Sequence, residues 1–180
     1  MHALLLHPNY PQSFWSFEVI LGLLGKKSHS PPLGLLTVAA LLPEEWTFTL
    51  VDERIAPPRE DQWQASEVVF ISGMHVQRNC IVQGIKEAKK RGKYVVIGGP
   101  WVFHNAEQAL EAGADLVAIG EAEYMIDEVI QAIDERKSGH TIRAEIGKDL
   151  KASPIPRFDL LDMDAYLEMD LQFTRGCPFH

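Results

Sequence analysis

Glu67-Val68-Val69-Phe70-Ile71-Ser72-Gly73-Met74-His75-Val76-Gln77, followed by Lys93-Tyr94-Val95-Val96-Ile97-Gly98-Gly99-Pro100, decides the fold. Each stretch opens on a short continuous apolar run and closes on small residues. Runs of this kind are buried on both faces, as strands of a parallel sheet are. Between them Gln77 to Arg91 reads as a helix. It closes at Gly92, with Lys89, Lys90 and Arg91 in its last turn, where cations suit the helix dipole. Strand, helix, strand is one crossover unit, and such crossovers are right-handed.

The same alternation extends both ways. Ala3 to His7 is a first strand ending at Pro8. Pro8 to Pro32 is a long Pro/Gly/aromatic segment with a short helix around Phe17 to Leu24. A connection that long inside a compact domain is more often functional than idle. Leu33 to Leu42 reads as a helix stopped by Pro43, and Thr47 to Val51 as the next strand. The pattern is β-α-β-α-β-α-β-α-β-α, with no residues assigned to a helix between Val51 and Glu67. Asn105 is placed as the cap of a helix to Ala112, Asp115 to Ile119 as the fifth strand, and Glu123 to Lys137 as the final helix. The expected fold is α/β: a Rossmann-like, flavodoxin-like doubly wound five-stranded parallel sheet of order 2-1-3-4-5. After Gly139 the alternation ends. Thr141 to Ser153 reads as a small strand or hairpin, and Pro154-Ile155-Pro156 as a stiff connector. The expected division is a ligand-binding domain over 1–139 and a C-terminal linker over 140–180.

Composition narrows the function classes. The 180 residues are 46% hydrophobic and 23% charged, ordinary for a globular chain. A net charge of -8 argues against non-specific nucleic-acid binding. The longest apolar run, Leu33 to Leu42, is far short of a membrane span, and Met1-His2-Ala3-Leu4 has no basic region of a secretion signal. Two cysteines, Cys80 and Cys177, make no disulfide framework, and a cytoplasmic location is expected.

Ligands of doubly wound sheets bind at the carboxyl ends of the strands. Three loops with unusual residues fall there: Ser72-Gly73-Met74-His75-Val76-Gln77, Gly98-Gly99-Pro100-Trp101 and Gly120-Glu121-Ala122-Glu123. A Ser at a strand end offers a hydroxyl to a buried ligand. A Gly pair lets a bulky group lie against the backbone. Gly120 beside a helix start leaves N–H groups free for an acceptor. Tight turns that simply need Gly explain any one of these loops; three on one edge are harder to explain that way. His7, beside Pro8, reads as a hydrogen-bonded structural histidine, and Cys80 as a core residue.

Taken together, Pro31-Pro32-Leu33-Gly34-Leu35-Leu36, Val51-Asp52-Glu53, Ile71-Ser72-Gly73-Met74, Val96-Ile97-Gly98-Gly99-Pro100 and Gly120-Glu121-Ala122-Glu123 carry a resemblance. The chain resembles the cobalamin-binding domain that precedes the barrel in cobalamin-dependent radical SAM enzymes. Pro154 to Leu161, then Thr174-Arg175-Gly176-Cys177-Pro178, is similar to that family's bridge into the barrel and to the start of its Cys-x-x-x-Cys-x-x-Cys loop. The resemblance implies cobalamin over the carboxyl edge, its dimethylbenzimidazole tail beside the third strand. Ser72 and Gly73 would lie near the base, and Gly98, Gly99 and Pro100 would make room. Gly120 and Glu121 would meet the nucleotide loop or corrin amides. Met74, His75, Val76 and Gln77 would face the corrin rim, and Asn9 and Tyr10, with the rest of Pro8 to Pro32, the lower face. Phe14, Trp15 and Trp101 are candidates for packing on the ring.

In a full-length parent the resemblance implies a C-terminal radical SAM barrel, S-adenosylmethionine and a [4Fe–4S] cluster with Cys177 as one ligand. Alone, this piece would bind cobalamin and catalyse nothing; the parent would be a methyltransferase. No Asp in the chain has a His two residues later, so the Asp-x-His-x-x-Gly signature of a histidine-ligated cobalt is missing, and a base-off cofactor without that histidine is implied. Two rivals stand beside this reading. A flavodoxin-like flavin or nucleotide domain would want a phosphate loop after the first strand, where the chain is Pro-rich. A non-catalytic regulatory or protein-interaction domain would leave the edge empty, and its receiver-type version would want an Asp where Ser72 stands.

Overall fold

The computed structural model describes residues 1–12, 16–144, 151 and 153–175. Its strands are β1 (His2–His7), β2 (Thr47–Asp52), β3 (Val68–Ser72), β4 (Tyr94–Gly98), β5 (Leu116–Ile119) and β6 (His140–Arg143). They form one sheet in the order β2-β1-β3-β4-β5-β6, with every neighbouring pair parallel. The expected order 2-1-3-4-5 therefore stands, but a sixth strand extends it. β6 adds to the edge of β5, and Ile142 is its one buried residue. This strand overlaps the small strand or hairpin expected over Thr141 to Ser153, but His-Thr-Ile-Arg has too little apolar pattern to be assigned to the sheet from sequence.

Helices α1 (Glu18–Leu23), α2 (Leu33–Leu41), α3 (Glu60–Ala65), α4 (Arg78–Lys90), α5 (Val102–Glu111) and α6 (Ile126–Asp134) complete the architecture. Alternate strand residues feed two cores. Leu4, Leu6, Val69, Ile71, Val95 and Ile97 meet α3, α4 and α5. Ala3, Leu5, Phe70, Val96 and Leu116 meet α2 and α6 on the other face. Helix α2 is apolar all round because both its sides are covered. Leu35 and Ala39 face the sheet core, while the C-terminal tail crosses it and the Arg157 N–H donates to the Leu36 carbonyl.

Two local expectations need correcting. Helix α3 was given no residues because Trp63 is its single buried side chain. Its start is held by the Gln62 Oε1 accepting from the Arg59 N–H at 2.8 Å. Asn105 is not an N-cap. The helix already begins at Val102, and Asn105 breaks its regularity with φ -132° while its amide donates to the Trp101 carbonyl.

Asp115, at the mouth of β5, ties this frame together. One carboxylate oxygen accepts from the Val95 N–H at 2.8 Å and from Lys89 Nζ at 2.7 Å; the other accepts from Lys89 at 2.9 Å and from the Ser138 hydroxyl at 2.9 Å. One side chain thus joins α4, β4 and the turn before β6. Asp115→Ala should lower the unfolding free energy by about 3 kcal/mol, the low end for breaking a buried pair, because Lys89 is half exposed and can rehydrate. Lys89→Met should cost less, since Asp115 keeps its Val95 and Ser138 donors. Urea unfolding of the two variants checks the order; equal losses would contradict the Asp115-centred reading.

Candidate functional site

Period-two alternation sends Phe70 and Ser72, Val96 and Gly98, and Leu116 and Ala118 to the same face of the sheet. Register then aligns them. Ser72 pairs with Gly98, and because Val96 pairs with Leu116, Gly98 lies beside Ala118. The sheet face therefore carries a row of large side chains and, nearer the carboxyl edge, a row of small ones. Helices α2 and α6 continue past both rows.

The small row opens a slot. A cavity of about 350 Å³ lies between the sheet and these helices. Its walls are Phe70, Val96 and Ala118 from the sheet, Gly34, Leu35, Thr37 and Val38 from α2, and Met125, Ile126 and Val129 from the α6 region. Polar groups gather nearer the mouth: Ser72, Glu121, Glu123, Gln172 and Arg175. An apolar slot with a few convergent polar groups is the usual form of a small-molecule site.

Of the residues singled out from sequence, Ser72, Gly98, Gly99, Pro100, Gly120 and Glu121 line this one cavity. Gly73 sits at its edge, where its carbonyl accepts from the Trp101 N–H and so ties the loops after β3 and β4. Met74, His75 and Val76 are exposed on the same edge of the sheet. Gln77 is not at a rim. It is wholly buried, its Oε1 accepting from the Met74 N–H at 2.7 Å and its amide donating to the Pro8 carbonyl. Trp101, a candidate for packing on a ring, is instead buried with Ile97 and Val102 in the core on the opposite face. Phe14, Trp15 and Cys177 lie outside the described residues. Cys80 is half-buried rather than a full core residue.

Asn9 and Tyr10 belong to a second, polar cluster beside the ends of β1 and β2. The Asn9 N–H donates to Glu53 Oε2 at 3.0 Å, and the Arg54 guanidinium lies 4.2 Å over the Tyr10 ring. Next to them, His7 Nδ1 lies 3.3 Å from the Ser72 carbonyl and Nε2 lies 3.4 Å from the Gln77 amide. A neutral ring with its proton on Nδ1 satisfies both. Burial pushes His7 below the ordinary histidine value, against the pull of neighbouring Asp52. Burial likewise raises Asp52, which accepts from the Arg54 N–H and, at 3.3 Å, from the Tyr166 hydroxyl. The histidine is structural, as its place beside Pro8 suggested.

Sequence reasoning missed Thr37, Val38, Ala118, Glu123 and Arg175 as site residues. Gly34 and Glu123 stood inside quoted motifs, which was the available signal. Arg175 also stood inside a quoted motif, Thr174 to Pro178, but nothing there pointed to this site, because its partners lie more than fifty residues away. Its guanidinium donates to Glu121 Oε2 at 3.0 Å, to Glu123 Oε1 at 2.6 Å and to the Ser153 hydroxyl at 3.1 Å. Burial alone would raise the Glu123 carboxyl, but Arg175 and Ser153 hold it below the ordinary value.

The two adjacent glycines differ in what they permit. Gly99 has φ +85°, and a Cβ there would stand 2.4 Å from Ser72 Oγ. Gly98 has ordinary strand geometry, and its Cβ would meet only the Ala118 carbonyl, at 3.4 Å. Gly99→Ala should therefore cost about 1–2 kcal/mol from backbone conformation alone, while Gly98→Ala should leave stability nearly unchanged. Thermal melts of the two variants decide; equal melting temperatures would show that the turn at Gly99 relaxes freely.

The chain is 47% identical over 179 residues to an uncharacterized methyltransferase of Synechocystis sp., an alignment that covers 99% of this chain and 33% of that protein. It is 30% identical over 181 residues to the hopanoid C-2 methylase of Rhodopseudomonas palustris, covering 98% and 34%. It is 26% identical over 155 residues to the bacteriochlorophyllide d C-8(2)-methyltransferase of Chlorobaculum tepidum, covering 82% and 34%. No family model matches the chain, and no solved structure does. The chain spans about a third of the length of these relatives, and along that third this α/β module is similar to proteins named as methyltransferases.

Proposed function

We propose that this chain is the cobalamin-binding module of a radical SAM methyltransferase, with residues 1–139 holding the cofactor and 140–180 leading toward a barrel. The observation that carries the reading is the small row Ser72, Gly98 and Ala118 over a slot of about 350 Å³. That volume is near the lower end of the ~300–1,000 Å³ typical of small-molecule sites. It suits one flat bicyclic group, such as the dimethylbenzimidazole of cobalamin, and not a whole large cofactor. The remainder would lie over the carboxyl edge, among the exposed Met74, His75 and Val76.

When bound, cobalamin supplies a cobalt able to carry a methyl group. The chain's own residues bind and orient. Gly98 and Ala118 leave the flat group its space, Ser72 offers a hydroxyl beside it, and Leu35, Val38, Phe70, Val96 and Val129 exclude water from it. Gly120 and Glu121, at the mouth, would meet amides of the ring periphery. A base held in the slot is a base off the cobalt, in keeping with the missing Asp-x-His-x-x-Gly signature.

The similarity to relatives named for two different substrates supports the same reading. A stretch similar in both suits a role common to the two reactions rather than the choice of substrate. In this reading the iron–sulfur cluster belongs to the full-length parent, and Cys177, its one expected ligand in this chain, lies outside the described residues. Among the described residues no group of three or more His, Cys, Asp or Glu is placed to hold a metal. Among them, too, no helix is long and apolar enough to cross a membrane. A flavin or nucleotide reading is weakened at the turn after β1, where the Glu53 carboxylate occupies the Asn9 N–H that a phosphate would need.

The chain should retain hydroxocobalamin after desalting, with a base-off absorption spectrum. Gly98→Val should weaken binding about 10–100-fold, the affinity equivalent of an overpacking cost of roughly 1–3 kcal/mol, while circular dichroism and melting temperature stay close to wild type. A base-on spectrum, or retention of flavin mononucleotide in place of cobalamin, would overturn the proposal. So would unchanged binding by a folded Gly98→Val protein.

A further inference from the structure

The C-terminal tail crosses the mouth of the slot, and its two ends are attached differently. Around Ala165 to Glu168 the attachment is backbone. The Lys27 and Ser28 N–H groups donate to the Ala165 carbonyl, the Leu167 N–H to the Ser28 carbonyl, and the Glu168 N–H to the His29 carbonyl. Buried Tyr166 adds its hydroxyl to Asp52. Nearer the slot, among the described residues, the tail is held through side chains. Arg175 grips Glu121 and Glu123, and Gln172 Oε1 accepts from Arg175 Nε at 3.2 Å. Between the two attachments Leu171 and Phe173 are exposed.

The grip is built rather than incidental. The Arg175 side chain is only 14% exposed, Glu121 is 18% and Glu123 is 3%. A planar guanidinium spans the two carboxylates at once, which a lysine ammonium cannot reproduce. Gln172 and Arg175 also line the slot together with Ser72 and Gly98, so an occupant of the slot lies under the tail.

We propose that residues 167–175 are a strap hinged at Tyr166 and latched by Arg175 on Glu121 and Glu123, and that the latch retains whatever fills the slot. An occupant enters and leaves when the latch opens. Opening takes the Arg175 guanidinium away from the Glu123 carboxylate, whose donors in the closed form outweigh the penalty of its burial, so the closed form is favoured. The identity of the occupant rests on the proposed function; the strap itself does not.

Two measurements on the 180-residue chain separate these claims. Hydrogen exchange without ligand should show faster exchange over 168–175 and 120–124 in Arg175→Ala, about tenfold or more, with β1, β3 and β4 protected as in wild type. Arg175→Lys should fall between the two, and Glu123→Gln should move in the same direction by less. Stopped-flow displacement of hydroxocobalamin should then show dissociation accelerated about tenfold in Arg175→Ala, a change of roughly 1.4 kcal/mol. Unchanged exchange in both Arg175→Ala and Glu123→Gln overturns the latch. Faster exchange with an unchanged dissociation rate overturns retention. Failure of the wild type to hold cobalamin overturns the proposed function instead, and exchange then judges the latch alone.

Discussion

Everything at the carboxyl edge depends on the register of three parallel strands. Because side chains alternate with a period of two, a shift of β4 by one residue would exchange Val96 and Gly98 for Val95 and Ile97 on the slot face. The small row would become a bulky one, and the slot would close. The register is held from outside the slot. Asp115 accepts from the backbone of β4 while sitting at the start of β5, and Lys89 of α4 neutralises it. The Asp115 N–H also donates to the Val95 carbonyl, which closes the contact from both directions. Space for a ligand at one end of these strands is thus set by a buried carboxylate at the other.

The loops above the slot are mounted with the same economy. Gln77 makes no use of the solvent side. Its amide links the Pro8 carbonyl after β1 to the Met74 N–H after β3, across the place where strand order reverses. Met74, His75 and Val76 are therefore exposed residues on a fixed support. Met74 and Val76 stay open to solvent because the loop that carries them is held from beneath.

What could be read from the residues follows from how local the physics is. The apolar runs Ala3 to Leu6, Val68 to Ile71 and Tyr94 to Ile97 announce buried strands because each is covered on both faces. Gly98 and Gly99 were legible as making room, although the structure divides the labour: Gly98 leaves the space and Gly99 makes the turn. Strand β6 was legible only as a small strand or hairpin after Gly139, without its place in the sheet, and helix α3 was given no residues, because each buries a single side chain and has no period to display. Gln77 and Trp101 misled for the opposite reason. Their chemistry suits a ligand rim, and only the tertiary structure turns them inward. The Arg175 contact with Glu121 and Glu123 spans more than fifty residues, so no pattern in the chain encodes it.

A slot of about 350 Å³ and an exposed edge impose a division of tasks on any large ligand. The enclosed part supplies affinity, since apolar area removed from water there counts fully, at about 25 cal/mol per Å². The part outside is left facing solvent beside Met74, His75 and Val76, within reach of whatever approaches the edge. Under the proposed function that division has a chemical purpose. A cofactor gripped by its tail keeps its reactive centre uncovered, so it can meet a second reactant without being released. A deep pocket that enclosed the whole ligand would bind more tightly and prevent that meeting. Under that function the small row at Ser72, Gly98 and Ala118 is as much a limit as an opening: a flat group would pass it only as far as Phe70 and Val96, the large side chains that line the slot behind it.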